Sequence, residues 1–325
     1  MKKCLALILA LVMVFALAAC GGASRGEPTP APTAEPTPEP TPEPTARELL
    51  TRALQQMENC GSYHQNTTFT IRMSLELEEE TDEITLSLKV AGDTVTEPLS
   101  FQKETVVGIS LSAPWSDPVL QEMKQLSCGA ETEDGFRVYF SEDGGEHWSV
   151  QDGQELLDTL RSNYDMTERI EAFVGSAELL EKTGVDSRDG RTLDLYTGRL
   201  TGEAMAQGLE SSGLLETLGG LGGLGGGITP DLFDDLGEIP YVIALERESG
   251  RLAWYEMDCS QAMQTMMDRI ISRTLSGQSG ESGLSVTIGR AKLRCEFSAW
   301  DEVDAIEIPE AALAAGAETA GERNS

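Results

Sequence analysis

The sequence predicts an α+β domain built on a large, one-sided antiparallel sheet. Three observations predict it. Phe69, Ile71, Met73, Leu75 and Leu77 place apolar residues at strict period two, the mark of a strand with one buried face. Further runs of this kind follow with only turns between them, which suits antiparallel pairing and excludes a doubly wound parallel sheet. Amphipathic helical stretches open the series and interrupt it, and these would supply the layer that covers the sheet.

The elements follow in order. Thr45-Ala46-Arg47-Glu48 fits a capping box, in which Thr and Glu satisfy unpaired amides at a helix start. Leu49, Leu50, Ala53, Leu54, Met57 and Cys60 then keep helical spacing, and Gly61 ends the helix. After the strand at Phe69–Leu77, an acidic turn leads to a second at Ile84, Leu86, Leu88 and Val90. Val107, Ile109 and Leu111 mark another strand. Phe136, Val138 and Phe140 begin one that returns, after a tight turn, through Trp148 and Val150. A helical middle starts at Leu156, Leu157 and Leu160 and continues past Asp165–Glu168 through Ile170, Phe173, Val174, Ala177 and Leu180. Leu193 and Leu195 read as a strand, and Thr201–Leu218 as a weaker helix. The run from Leu218 to Gly227 is a Gly-rich loop, without the G-x-x-x-x-G-K-[ST] spacing of a phosphate loop. Tyr241, Ile243 and Leu245, the turn Glu248-Ser249-Gly250, and Arg251–Cys259 form a hairpin. Ser260–Leu275 is a Met-rich helix, and a long strand runs from Leu284 through Leu293, Cys295 and Phe297, with Ile306, Ile308 and Pro309 closing it.

Ahead of this body stands an address. Met1-Lys2-Lys3 is basic, Cys4–Ala16 is almost wholly apolar, and small residues then lead to Cys20. The apolar run is short for a membrane span, which takes about 20 residues. Small residues directly before a cysteine resemble the lipobox of bacterial lipoproteins. The resemblance implies cleavage before Cys20 and a diacylglycerol thioether on its sulfur. Two or more acyl chains hold a protein stably on a membrane. Residues 27–45, EPTPAPTAEPTPEPTPEPT, cannot form a core, because proline favours extended polyproline II and removes amide donors. The expected organisation is a signal peptide over 1–19, a lipidated cysteine and Pro/Thr-rich linker over 20–45, a folded domain over 46–312, and a disordered tail over 313–325.

Charge narrows the function classes. With 24 Lys+Arg against 55 Asp+Glu, the net charge of −31 argues against nucleic acid as a partner. Only His64 and His147 are present, and no G-x-S-x-G, S-x-x-K or H-E-x-x-H occurs, so the chain is expected to be no enzyme. No cofactor and no metal site is implied: the acidic clusters Glu76–Glu83 and Asp231–Asp235 fit no EF-hand loop. Ser141-Glu142-Asp143-Gly144-Gly145-Glu146-His147-Trp148 matches S-x-D-x-G-x-x-W and resembles the Asp-box of sialidase propellers. One copy speaks for a β-hairpin turn and not for glycoside chemistry. Cys60, Cys128, Cys259 and Cys295 remain in the body. The expected disulfides are Cys259–Cys295 and Cys60–Cys128, with buried thiols as the alternative.

The order of parts resembles the LolA/LppX-like lipoprotein superfamily. The pieces that carry the resemblance are the cysteine at 20, the stalk, the opening helix Arg47–Cys60 and the strand meander Phe69–Val90. To these add YFSEDGGEHWSV, YVIALERESGRLAWYEMDCS and the closing CEFSAWDEVDAIEIPEAAL. The resemblance implies a curved antiparallel sheet, a half-barrel, packed over helices with an apolar cavity between the layers. It implies a lipid-like ligand and a lipoprotein anchored through Cys20 on the outer face of the cell membrane. Met73, Leu75, Met263, Met266 and Met267 are the candidate cavity lining, since Met suits adaptable apolar surfaces; plain core filling is the alternative. The rival functional expectation is an envelope interaction or sensor protein, meeting a protein partner with the same fold and no cavity.

Overall fold

The computed structural model describes residues 44–77, 80–112, 118–132, 135–153, 180–188, 190–202, 235–275 and 284–322. The expected signal peptide, nearly all of the linker, the helical middle over 154–179 and the segment 203–234 with its Gly-rich loop lie outside the described residues.

The chain enters through α1 (Ala46–Glu58). The capping box forms as its sequence predicts: the Glu48 amide donates to the Thr45 hydroxyl, and the Glu48 carboxylate accepts from the Thr45 amide at 2.8 Å. Leu50, Ala53, Leu54 and Met57 line the buried stripe of α1. Six strands follow: β1 (Ser62–Leu77), β2 (Glu80–Thr96), β3 (Leu99–Ser112), β4 (Val119–Thr132), β5 (Gly135–Ser141) and β6 (Ser149–Asp152). The second series is β7 (Glu181–Arg188), β8 (Arg191–Thr201), β9 (Glu238–Glu246), β10 (Leu252–Asp258), α2 (Ser260–Leu275), β11 (Leu284–Ser298) and α3 (Glu310–Glu322).

All eleven strands belong to one antiparallel sheet in the order β6-β5-β4-β3-β2-β1-β11-β10-β9-β8-β7. Each series is a meander, and the first strand pairs with the last, β1 against β11, to join them. Among the described residues the sheet is open, with β6 and β7 at its edges.

Register divides the side chains between two faces. Phe69, Leu88 and Val107 stand opposite one another on neighbouring strands, as do Ile71, Leu86 and Ile109. These rows, with Leu293 of β11 and Ile243 of β9, form the main core, which α1 and α2 cover. The helix α2 is tied to β11 where the strand pairing slips. Arg72 faces Arg290 but Met73 faces Ile288, so Gly289 is the extra residue of a bulge. Gln264 of α2 accepts from the Ile288 amide at 2.6 Å and donates to the Val286 carbonyl at 3.0 Å. The Ser260 hydroxyl accepts from the Ala291 amide at 2.8 Å. Backbone groups at the bulge are thereby satisfied by the helix above them.

The sequence reading departs from the structure at four places. β4 was not anticipated, because Gln121, Gln125 and Ser127 occupy the core-facing positions where apolar residues would announce a strand. β7 carries almost no apolar residue, and as an edge strand with exposed faces it needs few. Ile306–Pro309 is not a strand; it leads into α3, and Ile308 packs with Cys128 and Tyr139 on the second face of the sheet. The expected disordered tail is helical to Glu322. Its alanines favour helix, and Ala312 is buried against β4 and β5, where Gly316 admits the close approach of Tyr139.

Candidate functional site

The core face is apolar where β1 to β3 and β9 to β11 meet α1 and α2, and the structure gathers all five candidate lining residues there. Met73 of β1 is buried, and Leu75 is half-buried against the same cluster. Met263, Met266 and Met267 project from α2 into that cluster and are buried.

The same face changes character toward β4. Met73, Ile84, Leu111 and Val119 form one cross-strand row, and Phe69, Leu88, Val107 and Met123 form another. Along each row the side chains pass from buried to open. Leu111 is 37% exposed, Met123 47% and Val119 57%. The result is an apolar strip that begins inside the core and ends in solvent. Leu120, on the opposite face, is exposed as well. Sequence reasoning found Leu111 as a strand residue but missed Val119 and Met123. Their only signal was a period of four residues interrupted by Gln121.

The cysteines form no disulfide among the described residues, and both expected pairs are corrected. Asp258 faces Lys292 and Tyr255 faces Cys295, so Cys259 sits about four residues along the strand from Cys295. At ~3.3 Å per residue that is ~13 Å, beyond the ~7 Å a disulfide spans. Cys128 lies in line with Gln102, Asp93 and His64, three strand spacings from β1, or ~14 Å. Cys60 precedes β1, and its thiol donates to the Met57 carbonyl at 3.0 Å. Burial pushes the Cys60 and Cys128 thiols up to about 11 and the Cys259 thiol to about 12. Cys295 is buried beside the Thr67 hydroxyl and the Gln65 amide. These are packed thiols, not nucleophiles. Cys20, the expected lipid attachment point, lies outside the described residues.

The Asp-box-like turn is a hairpin connection between β5 and β6, as its pattern suggests. Asp143 organises it. One carboxylate oxygen accepts from the Ser141 hydroxyl and from the Glu146 and His147 amides; the other meets His147 Nδ1 at 2.6 Å. These contacts hold the Asp143 carboxyl well below the usual range, and they raise His147 above its ordinary value. The donor atoms of Asp143, Glu146 and His147 lie within 4.8 Å of one another. The aspartate is already engaged within the turn by its own hydrogen bonds. His64 pairs instead with Asp93, its cross-strand neighbour, at 2.7 Å on an exposed surface.

No protein family model matches the sequence, and no curated protein matches it. Among solved structures, the chain is similar to the lipoprotein LppX of Mycobacterium tuberculosis at 13% identity, with 81% of this chain and 100% of LppX covered and a TM-score of 0.37. It is also similar to LprF of Mycobacterium bovis at 13% identity, with 84% of this chain and 99% of LprF covered and a TM-score of 0.40.

Proposed function

We propose that this chain is a non-catalytic envelope lipoprotein, anchored through Cys20 to the outer face of the membrane, whose core face takes a hydrophobic, lipid-like ligand. The observation that carries the reading is the apolar strip formed by Leu111, Val119 and Met123. It is continuous with the buried core yet open at its end, and apolar surface of this kind gains free energy when an apolar partner covers it, at about 25 cal/mol per Å². The leader and the Pro/Thr-rich stalk suit a body held away from a bilayer. The test is native mass spectrometry of residues 46–325 purified gently from a bacterial host. A reproducible extra mass, released by organic solvent and lost in a Val119→Asp/Met123→Glu variant, is expected. A clean protein mass with no uptake of added fatty acid or phospholipid would overturn the reading.

A second reading is an interaction protein that docks a partner on the end of the β3–β4 hairpin. Leu120 favours it, because its side chain is exposed on the face that a ligand on the core face does not reach. A clean mass in the same experiment would move the weight to it.

A further inference from the structure

The corner of the sheet at β4, β5 and β6 holds a groove that the hydrophobic reading leaves unused. Its volume is about 580 Å³, and it lies open to solvent beside the Asp143 turn. Register places Gln125, Phe140, Ser149 and Gln151 on one face of the sheet, with Phe140 directly opposite Ser149. Trp148 closes the side toward the turn.

From this lining we infer that the groove binds a neutral glycan chain. Its chemistry excludes the main rivals. No lysine or arginine lines it; the one histidine there, His147, is paired with Asp143 at 2.6 Å, and Glu142 adds a further carboxylate, so an anionic ligand would be repelled. Amides, a hydroxyl and carboxylates make up much of its wall, which suits an acyl chain poorly. A saccharide matches on both counts. The C–H faces of a pyranose ring pack on aromatic rings: Phe140 stands half-exposed on this face, and Trp148, which also packs with the Cys128 and Tyr139 cluster of the second face, borders the groove half-exposed. Sugar hydroxyls both donate and accept, and each glutamine amide offers an acceptor and two donors. Among the described residues, no hydrogen bond engages the side-chain amide of Gln125 or of Gln151. The platform is built before any ligand arrives. Trp148 Nε1 donates to the Gly145 carbonyl at 3.0 Å, and a Cβ at Gly145 would stand 3.7 Å from the indole. The Asp143 network fixes the loop that carries both residues, so little ordering is left for the ligand to impose.

The test is tryptophan fluorescence of the full chain in a non-glycosidic detergent, titrated to millimolar concentration with cellotetraose, maltotetraose and chitotetraose in turn. A saturable response to at least one of them is expected. It should weaken about tenfold or more in a Gln125→Ala/Gln151→Ala variant, which removes two ligand-facing amides and leaves the melting temperature unchanged. No saturable response to any of the three would overturn the inference. A response of equal affinity in the double variant would overturn it as well, since another tryptophan would then be reporting. Neither outcome depends on lipid uptake, so this inference and the hydrophobic-ligand reading fail separately.

Discussion

Truncating Met266 to alanine tests whether the Met-rich helix fills a packed core. Met266 is 0% exposed and lies among Met263, Met267 and the rows of β1 and β11. The change removes three heavy atoms, worth ~2.4 kcal/mol at ~0.8 kcal/mol per buried methylene-sized group. The space left, ~60 Å³, adds ~1.4 kcal/mol at ~24 cal/mol per Å³ if the surroundings do not collapse. Collapse is hindered here, because Gln264 and Ser260 tie α2 to the backbone of β11 on the same side. The expected loss is about 3–4 kcal/mol, read by urea denaturation of residues 46–325. It corresponds to a fall of ~6–16 °C in melting temperature for a body of this size. Thr265→Ala, on the exposed side of the helix, is the control and should stay within about 0.5 kcal/mol. A loss under about 1 kcal/mol for Met266→Ala would refute the packing argument. The methionine tip would then border empty or ligand-filled space, and the candidate lining would be lining after all.

Two further outcomes follow from the cysteines and the turn. In residues 46–325 the native protein should not react with Ellman's reagent at pH 8, because burial keeps the thiols protonated and out of reach; four thiols should appear on denaturation without reductant, and fewer than four would mean a disulfide exists. In an NMR titration, His147 should lose its proton above the ordinary value of 6.5, and Asp143→Asn should bring it back down. The signs fix the window. The raised histidine steadies the turn fully below 6.5, and this contribution is lost as pH rises through its folded value. The lowered aspartate contributes above 3.8, and that is lost as pH falls. The turn should therefore be tightest between these values, read as slowed exchange of the Glu146 and His147 amides. A His147 titration at or below 6.5 would show that the Asp143 contact does not form in solution.

Much of this molecule was legible from local chemistry alone. The α1 capping box needs only Thr45 and Glu48, and the two-residue alternation of β1 and β2 needs only one buried face. The bounds of α2 follow from its helical spacing, and the Asp143 turn from a Ser-x-Asp-x-Gly pattern whose hydrogen bonds all close within eight residues. Such features draw their energy from neighbours in the chain, so the sequence writes them directly.

Other features depend on what lies across the sheet. β4 is a strand because β3 and β5 pair with it, although its core-facing glutamines hide the alternation. The cysteines stay unbridged because register sets them ~13 Å apart or further, a distance that spacing along the chain does not reveal. α3 is ordered because Ala312 and Gly316 find Tyr139 beneath them. The candidate sites belong to this second class. The apolar strip arises only when β1 to β4 align Met73, Ile84, Leu111 and Val119 in one row. The groove arises only when β4, β5 and β6 bring Gln125, Phe140, Ser149 and Gln151 to one face. By itself the sequence determined the address, the strand chemistry and the caps, because each is a property of residues a few positions apart. Register decided which side chains share a surface, because pairing energy between distant strands selects one alignment and a slip of one residue would turn every side chain to the other face.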